Sequence, residues 1–251
     1  MEIFILVIAA LAAGFVDAVA GGGGVITFPA FILCGLPISE IVGTNKLVSV
    51  SGTSVAAMTF ISRGMAQREV VFPALLFTAI GAVSGAAIVL KLPNEFLKPW
   101  VSVLVIFVAI YCYFRPELGS EHNYSGLNVF KHFSLWFTAL ALGFYDGFFG
   151  PGTGIFLTFY FVKFLGCDYL RAGANTKILN WTSNIVSLVF FLFNGTVRFD
   201  IGIPMIIANV IGGYLGARTA ISKGSVFIKY IYISMAGLTA LKLFLEMFKM
   251  V

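Results

Sequence analysis

Hydrophobic residues run along this chain in long blocks that few charged residues interrupt. A helix needs about 20 mostly apolar residues to cross the roughly 30 Å hydrocarbon core of a bilayer, so blocks of this length predict membrane spans. They lie near residues 3–34, 42–62, 70–90, 99–114, 130–162, 173–193, 201–217 and 228–248. The pattern predicts an all-α protein, a polytopic transmembrane helical bundle of about seven to eight spans.

The composition excludes a water-soluble fold. Of the 251 residues, 59% are hydrophobic and only 11% are charged, against about 45–50% and about 25% in a typical soluble domain. Too little polar sequence remains to cover the apolar surface, so a lipid bilayer is the expected solvent. The start of the chain, Met1 and Glu2, lacks the basic region of a secretory signal, and we expect the first segment to be retained.

Charge and cysteine placement narrow the chemistry further. The net charge is +5, and the basic residues stand singly in short loops, where lipid headgroups rather than nucleic acid are the expected partners. Because both sets of alternate loops carry similar numbers of basic residues, charge does not set the orientation in the membrane. Cys34, Cys112 and Cys167 are scattered and read as buried hydrophobes. We predict no metal site and no cofactor.

Three motifs of the first half recur in the second half in the same order. They are Gly14-Phe15-Val16-Asp17 with Gly143-Phe144-Tyr145-Asp146, the glycines 21–24 with Gly150-Pro151-Gly152-Thr153-Gly154, and Gly43-Thr44-Asn45-Lys46 with Gly173-Ala174-Asn175-Thr176-Lys177. We therefore predict two transmembrane repeats, residues 1–114 and 130–251, joined by a polar linker, residues 115–129. Whether the repeats are parallel or inverted stays open, because the first segment of each half either crosses or returns.

The glycine runs predict a break in the first segment of each half. Glycine disfavours helix, and Pro151 also removes a backbone donor. Non-helical backbone at membrane depth is tolerated only inside protein or beside a wet cavity, and the free N–H groups of the following half-helix favour an anion. The candidate binding residues are Gly21, Gly22, Gly23, Gly24, Gly150, Gly152, Thr153 and Gly154. The alternative is that these glycines only allow close helix packing.

Ionisable and amide side chains near these breaks are further candidates. Lys46 and Lys177, with Asn45 and Asn175 beside them, fall near the start of the next helix in each half. An ionisable residue inside a span is costly and by default indicates function, here with an anion as partner, although each lysine can also snorkel to the interface.

Asp17 and Asp146 are acidic residues inside the predicted spans, at equivalent places just before the glycine breaks. Three roles are open for them: pairing with the lysines, capping the broken helices, or carrying protons that couple transport to a gradient. Hydroxyls and amides lie along one side of the segments predicted at 42–62 and 173–193. Two roles are open for them: lining a pore or joining neighbouring helices. They are Ser49, Ser51, Thr53, Ser54, Asn180, Thr182, Ser183, Asn184 and Ser187.

Taken together, the paired motifs resemble those of the TauE/SafE family of sulfite exporters and related permeases, over nearly the whole chain. The resemblance implies a bacterial inner-membrane, multi-pass permease that moves sulfite, sulfonates or other small organic anions, often as an exporter. The lysine of Gly-Ala-Asn-Thr-Lys is shifted by one residue relative to Gly-Thr-Asn-Lys. This shift leaves open whether Lys46 and Lys177 play equivalent roles.

The leading hypothesis is a secondary transporter with an anion site at the interface of the repeats, exposed alternately to each side. An anion channel would need a continuous wet path and weaker binding. An intramembrane enzyme is the other alternative, but Tyr145-Asp146 matches only half of an aspartyl protease site and no nucleophile or metalloprotease motif occurs, so we expect no enzyme. The expected partners are a small anionic substrate and the lipid bilayer, with a homodimer as the assembly to test.

Overall fold

The computed structural model describes residues 2–91 and 121–248. Within these ranges the chain is helical and contains no strand, which confirms the all-α prediction. The helices are α1 Glu2–Ala20, α2 Gly24–Leu33, α3 Ile38–Ser62, α4 Arg68–Val89, α5 Val129–Phe148, α6 Thr153–Lys163, α7 Tyr169–Phe193 and α8 Phe199–Phe248. The segment predicted at 99–114 and most of the predicted linker lie outside the described residues.

Several helices are long and apolar enough to cross a bilayer. Among the described residues these are 3–20, 68–89, 169–193 and 199–235, whereas α2 and α6 are shorter apolar helices of 10 and 11 residues. The outer face of the bundle carries large apolar side chains, including Phe137 of α5 at 73% exposure and Ile207 of α8 at 64%. A contiguous apolar exterior of this kind fits lipid rather than water.

The helices are interrupted at the predicted glycine runs. Between α1 and α2 Gly21 has φ 84°, and between α5 and α6 Gly150 and Gly152 have φ 90° and 88°. These angles lie in the left-handed region, which glycine reaches without steric cost. A further change occurs inside α8, where Gly224 has φ 73° and ψ −174°. The segments predicted at 201–217 and 228–248 are therefore joined into one run that bends at Gly224.

Glycines bring the backbones of the parallel helices α1 and α8 into close contact. A Cβ built on Gly212 would lie 2.1 Å from the Leu11 carbonyl oxygen, and one built on Gly216 would lie 2.4 Å from the Phe15 carbonyl oxygen. No side chain fits at either position, so the small-xxx-small spacing serves close packing, as expected.

The same arrangement joins α4 to α5. A Cβ built on Gly81 would lie 2.2 Å from the Leu140 carbonyl oxygen, and one built on Gly85 would lie 2.1 Å from that of Phe144. In each pair the residue numbers rise together, so the two helices run in the same direction. The first helix of each half thus packs on the fourth helix of the other half.

Polar contacts identify the two ends of the bundle. At one end the Arg198 backbone N–H, at the start of α8, donates to Thr44 Oγ1 near the start of α3 (3.0 Å). At the other end the Gln67 backbone N–H, at the start of α4, donates to Asn175 Oδ1 near the start of α7 (2.9 Å). Because α4 begins where α3 ends and lies beside the start of α7, α3 and α7 are antiparallel. Because α1 runs parallel to α8 and α5 runs parallel to α4, the α1–α2 and α5–α6 hairpins enter from opposite ends.

Candidate functional site

The two glycine breaks meet inside the bundle. A Cβ built on Gly21 would lie 2.5 Å from the Gly154 carbonyl carbon, and one built on Gly24 would lie 3.1 Å from the Pro151 Cα. The tips of the two hairpins therefore touch through backbone, which only residues without side chains permit. The sequence placed each break within its own half; the contact between them is a property of the tertiary structure.

A small polar cavity of about 20 Å³ lies at this meeting point. It is lined by Asp17, Gly21, Gly24, Asn45, Lys46, Ser49, Asp146, Gly150, Gly152, Gly154, Asn180 and Asn184. Most of the residues proposed from the sequence are thus brought together from both halves. A second cavity of about 20 Å³ adjoins it and is lined in part by Asp17, Gly23, Gly24, Ser49 and Asn209. Each volume is on the scale of one water molecule.

Lys46 and Asp146 form a buried ion pair across the two halves. The Lys46 Nζ donates to Asp146 Oδ2 (2.7 Å) and to Asn184 Oδ1 (2.8 Å). The hydroxyl of Ser183 donates to the same carboxylate oxygen (2.5 Å). The side chains of the ion pair are only 4% and 3% exposed. Burying both charges is tolerated because the ammonium and the carboxylate are paired and hydrogen-bonded.

Lys177 and Asp17 form the reciprocal pair. The Lys177 Nζ donates to Asp17 Oδ2 (3.0 Å), and the Gly23 backbone N–H donates to Asp17 Oδ1 (3.4 Å). Each aspartate therefore pairs with the lysine of the other half, and Asp17 also accepts from the backbone at the start of α2. Both lysines are the ninth residue of a 25-residue helix. Their structural positions are equivalent despite the one-residue shift in the motif.

The two asparagines of the motif differ in position. Asn45 lines the cavity, and its Oδ1 accepts from the Thr27 hydroxyl (2.6 Å). Asn175 instead exchanges two hydrogen bonds with Gln67, from the Gln67 N–H and to the Gln67 Oε1, each 2.9 Å. The residue next to Lys177 is Thr176, whose hydroxyl lies 3.1 Å from that of Thr158. Asn175 thus joins helix ends, and a role in binding stays a prediction for it.

The remaining proposed residues support the breaks. The Thr153 hydroxyl donates to the Gly150 carbonyl oxygen (2.7 Å) inside the α5–α6 turn. Gly22 faces Met235, whose Cε would lie 3.4 Å from an added Cβ, and Gly23 faces Asp17, whose Cβ would lie at 2.7 Å. These residues shape the turns between the half-helices.

Two polar residues at the site, Thr27 and Asn209, were not singled out from the sequence, and Tyr145 was noted there only beside Asp146. Thr27 holds Asn45, as described above. Asn209 lines the second cavity, and its Nδ2 donates to the Ala10 carbonyl oxygen (2.8 Å). The Tyr145 hydroxyl donates to the Pro151 carbonyl oxygen (2.5 Å) and so secures the α5–α6 turn. A lone amide within an apolar segment, such as Asn209, was the available signal, since such groups need a partner in lipid.

The electrostatics of the site combine helix ends with buried charges. Neither α2 nor α6 has a side-chain N-cap, and both begin at the cavity. The first amides of a helix carry partial positive charge, which favours anions. Within the described residues, no group of three His, Cys, Asp or Glu side chains has the arrangement of a metal site. The two buried lysines and the helix ends are the positively charged groups at the site, and each lysine is paired with an aspartate.

Apolar helices surrounding a buried, charged centre place the chain in the class of helical membrane proteins. The model of the family described as sulfite exporter TauE/SafE matches residues 6–243. Because this match spans nearly the whole chain, the protein belongs to the TauE/SafE family of membrane transporters.

Curated relatives carry compatible descriptions. A "Probable membrane transporter protein ORF9" of Sinorhizobium sp. is 38% identical over 95% of this chain and 90% of its own length. "Probable membrane transporter protein YfcA" of Escherichia coli K12 is 33% identical over 95% and 88%. A "Probable membrane transporter protein" of Haemophilus influenzae is 32% identical over 92% and 90%. No solved structure matches the chain.

Proposed function

We propose that this protein carries a small anion across the cell's inner membrane by alternating access, with the binding site where the two hairpin tips meet. The observation that carries the proposal is the polar cavity between Gly21 and Gly154, to which both halves contribute. Lys46 lines this cavity, and Lys177 donates to Asp17, which also lines it. Buried lysines beside uncapped helix ends form an environment that favours a negative ligand.

The arrangement of the halves supports alternating access. The α1–α2 and α5–α6 hairpins enter from opposite ends, which is the geometry of an inverted repeat. In transporters built from inverted repeats, substrate binds near the midplane at the repeat interface, on interrupted helices. An exchange of conformation between the two halves would open the site first to one side and then to the other.

The size of the cavity bears on how a substrate would bind. At about 20 Å³ it has room for one water molecule and not for an oxyanion with several heavy atoms. Both lysines are engaged by carboxylates. We infer that binding requires the hairpins to separate and a lysine to exchange its carboxylate for the substrate.

The substrate class follows from the family. We propose sulfite or an organosulfonate, moved outward, because the matching family is described as sulfite exporters. A sulfonate or sulfite group offers several acceptor oxygens, which suits lysine ammonium, asparagine amide and helix N–H donors. We propose a homodimer as the assembly to test by light scattering of the purified protein.

Ligand-induced stabilisation tests the binding site directly. The purified protein is melted with sulfite, sulfate, thiosulfate, methanesulfonate, taurine, lactate or chloride. A ligand that binds only the folded state at 100 times its Kd stabilises it by about 2.7 kcal/mol. We expect sulfite or a sulfonate to raise the Tm of the wild type and of Lys223→Ala, which removes an exposed lysine on α8.

Variants of the site complete the test. Asn45→Ala and Lys46→Ala/Asp146→Ala should lose the response to the ligand; the double variant removes a buried pair and leaves no unpaired charge. If no anion raises the Tm, or if these variants respond as the wild type does, the anion site is refuted. Flux into liposomes then separates a carrier from a channel, because a carrier saturates at slow turnover and shows counterflow. A hydrolytic or transferase activity that is lost on substituting Asp146, in a protein that moves no solute, would instead support an enzyme.

A further inference from the structure

The two buried ion pairs occupy equivalent positions in the two halves but are held differently. In the first, Asp146 accepts from Lys46 and from the Ser183 hydroxyl, and Lys46 also donates to Asn184. The Asp146 side chain is 3% exposed. This carboxylate accepts from two donors and is almost completely buried.

The second pair is more open. Asp17 accepts from Lys177 at 3.0 Å, and its other contact is the Gly23 N–H at 3.4 Å. The Asp17 side chain is 18% exposed, six times the fraction of Asp146, and it lines both cavities. Of the two carboxylates, Asp17 is therefore the one more accessible to a proton.

The sequence explains the difference. When the two lysines are aligned, Ser183 takes the place of Gly52 and Asn184 takes the place of Thr53. Gly52 has no side chain to donate to Asp17. The hydroxyl of Thr53 donates to the Ser49 carbonyl oxygen of its own helix (2.6 Å). The two donors that hold the first pair thus have no counterpart at the second pair.

The charges at the site balance without substrate. Two ammonium groups face two carboxylates, so a univalent anion entering the closed site would leave one negative charge uncompensated. A buried uncompensated charge is strongly unfavourable. One proton bound to a carboxylate together with the anion restores neutrality, and the released lysine becomes the counter-ion of the substrate.

We propose that Asp17 is the carboxylate that binds and releases the coupling proton, one per univalent anion, while Asp146 stays ionised as the fixed partner of Lys46. The inference rests on the proposed anion transport and adds the coupling ion and its residue. The proton binds Asp17 Oδ2, Lys177 Nζ exchanges the carboxylate for the anion, and both ligands leave to the opposite side. Transport is then electroneutral, so the outward transport proposed above is driven by the anion's own concentration gradient, and each exported anion carries a proton with it.

The groups around Asp17 are consistent with this role. They are Lys177 from α7, Lys46 from α3, Asp146 from α5 and the uncharged Asn209 from α8. Gly23, just before α2, contributes its backbone, and Thr27 of α2 contributes its hydroxyl; neither carries a charge. Lys177 is thus the group that protonation of Asp17 directly frees.

The first experiment needs no substrate. Infrared difference spectra of the purified protein between pH 4 and pH 9 report the carbonyl stretch of a protonated buried carboxyl group. We expect one such band in the wild type, in Asp146→Asn and in the exposed control Asp200→Asn. The band should be absent in Asp17→Asn, which keeps an acceptor for the Gly23 N–H. A band that persists in Asp17→Asn, or disappears only in Asp146→Asn, overturns the proposal.

The second experiment measures coupling in proteoliposomes with methanesulfonate, an anion that stays ionised over this pH range. With the membrane potential clamped at zero, one pH unit should drive about tenfold accumulation at one proton per anion. Asp17→Asn should accumulate nothing from the pH gradient and should respond to a membrane potential instead. Unchanged pH-driven accumulation in Asp17→Asn refutes the coupling role. Absence of any methanesulfonate flux, with the Asp17 infrared band present, refutes the proposed substrate class and leaves Asp17 as the titrating carboxylate.

Discussion

Gly21 lies directly against Gly154, one from each half of the chain, where the two interrupted helices meet. A Cβ built on either residue would lie 2.5 Å from a backbone atom of the other. Backbone cannot move aside as the end of a flexible side chain can, so any larger residue forces the hairpin tips apart. The contact therefore fixes both the packing at the centre of the bundle and the shape of the cavity.

Gly154→Ala is expected to destabilise the fold. The added methyl group overpacks a backbone contact, which costs about 1–3 kcal/mol of the free energy of unfolding. The measurement is denaturation in mixed micelles. Gly173→Ala is the matched control, because nothing lies within 4 Å of a Cβ built there and the residue is inside α7. Alanine at that position should stabilise by up to about 1 kcal/mol. Equal effects of the two substitutions would contradict the contact.

Removing one partner of the buried pair between Lys46 and Asp146 should be more costly. Lys46→Met leaves a carboxylate without its counter-ion, and breaking such a pair costs about 3–5 kcal/mol. Lys46→Met/Asp146→Asn should recover part of that loss, because the uncompensated charge is gone. The free energies of unfolding of the wild type, Lys46→Met, Asp146→Asn and the double variant form the thermodynamic cycle that measures the coupling.

An exposed ion pair provides the contrast. Arg198 binds Glu40 and Asp200 at the end of the bundle, and its side chain is 44% exposed. Because solvent screens such pairs, Arg198→Met should change stability far less than Lys46→Met. A comparable loss from both variants would show that burial does not set the strength of the Lys46 pair.

Asp168 should make stability depend on acidity. It precedes α7, and its carboxylate accepts from the Arg171 backbone and guanidinium, from the Ser225 hydroxyl and lies 3.3 Å from His122 Nδ1. Burial opposes ionisation of Asp168, but the hydrogen bonds and charge of Arg171, with the Ser225 hydroxyl, outweigh it and lower the pKa.

Because the folded pKa of Asp168 is below its unfolded value of about 3.9, its contribution is present above that pH and is lost as pH falls through the folded pKa. Melting curves from pH 7 down to pH 3 should show a smaller acid-induced loss in Asp168→Asn than in the wild type. Glu121→Gln, in the same part of the molecule, is the charge control. An identical acid profile in Asp168→Asn would refute the assignment.

Cys167 should resist thiol reagents in the folded protein. Its side chain is fully buried and its thiol donates to Gln67 Oε1 (3.2 Å). Burial, with the neighbouring Asp168 carboxylate, raises the pKa of the Cys167 thiol to about 12. The thiolate is the reactive form, so N-ethylmaleimide at pH 8 should leave Cys167 unmodified in detergent and modify it after denaturation. Mass spectrometry of the peptides measures both, and rapid labelling of the folded protein would contradict the prediction.

Local features of the site were predictable because they depend on neighbouring residues. The glycines at 21–24 and 150–154 disfavour helix wherever they occur, and the chain breaks there as expected. The apolar runs predicted the helices, although α3 and α7 begin about four residues earlier than the hydrophobic pattern suggested. Polar residues in the first turns interrupted the apolar pattern and hid these starts. At α7, the Asp168 carboxylate accepts from the Arg171 backbone N–H at the start of the helix.

The pairing of charges was not predictable in the same way. Lys46 and Asp146 are 100 positions apart, and Lys177 and Asp17 are 160 apart. The sequence shows that each buried charge needs an oppositely charged partner, but it does not identify which of the available partners it binds. Asn175 illustrates the limit: its motif resembles that of Asn45, yet a one-residue shift along a helix turns the side chain by about 100° and directs it to Gln67.

The sequence by itself determined that this protein is embedded in lipid, that it is helical, and that the first segment of each half breaks at glycine. These features were predictable because hydrophobicity and backbone propensity are properties of short stretches of sequence. Its motifs also identified the family. Only the tertiary structure decided that the two breaks touch, that each aspartate pairs with the lysine of the other half, and that Asp17 is more open than Asp146. Those relationships arise from the packing of helices that enter from opposite ends, which brings together residues that are far apart in the chain.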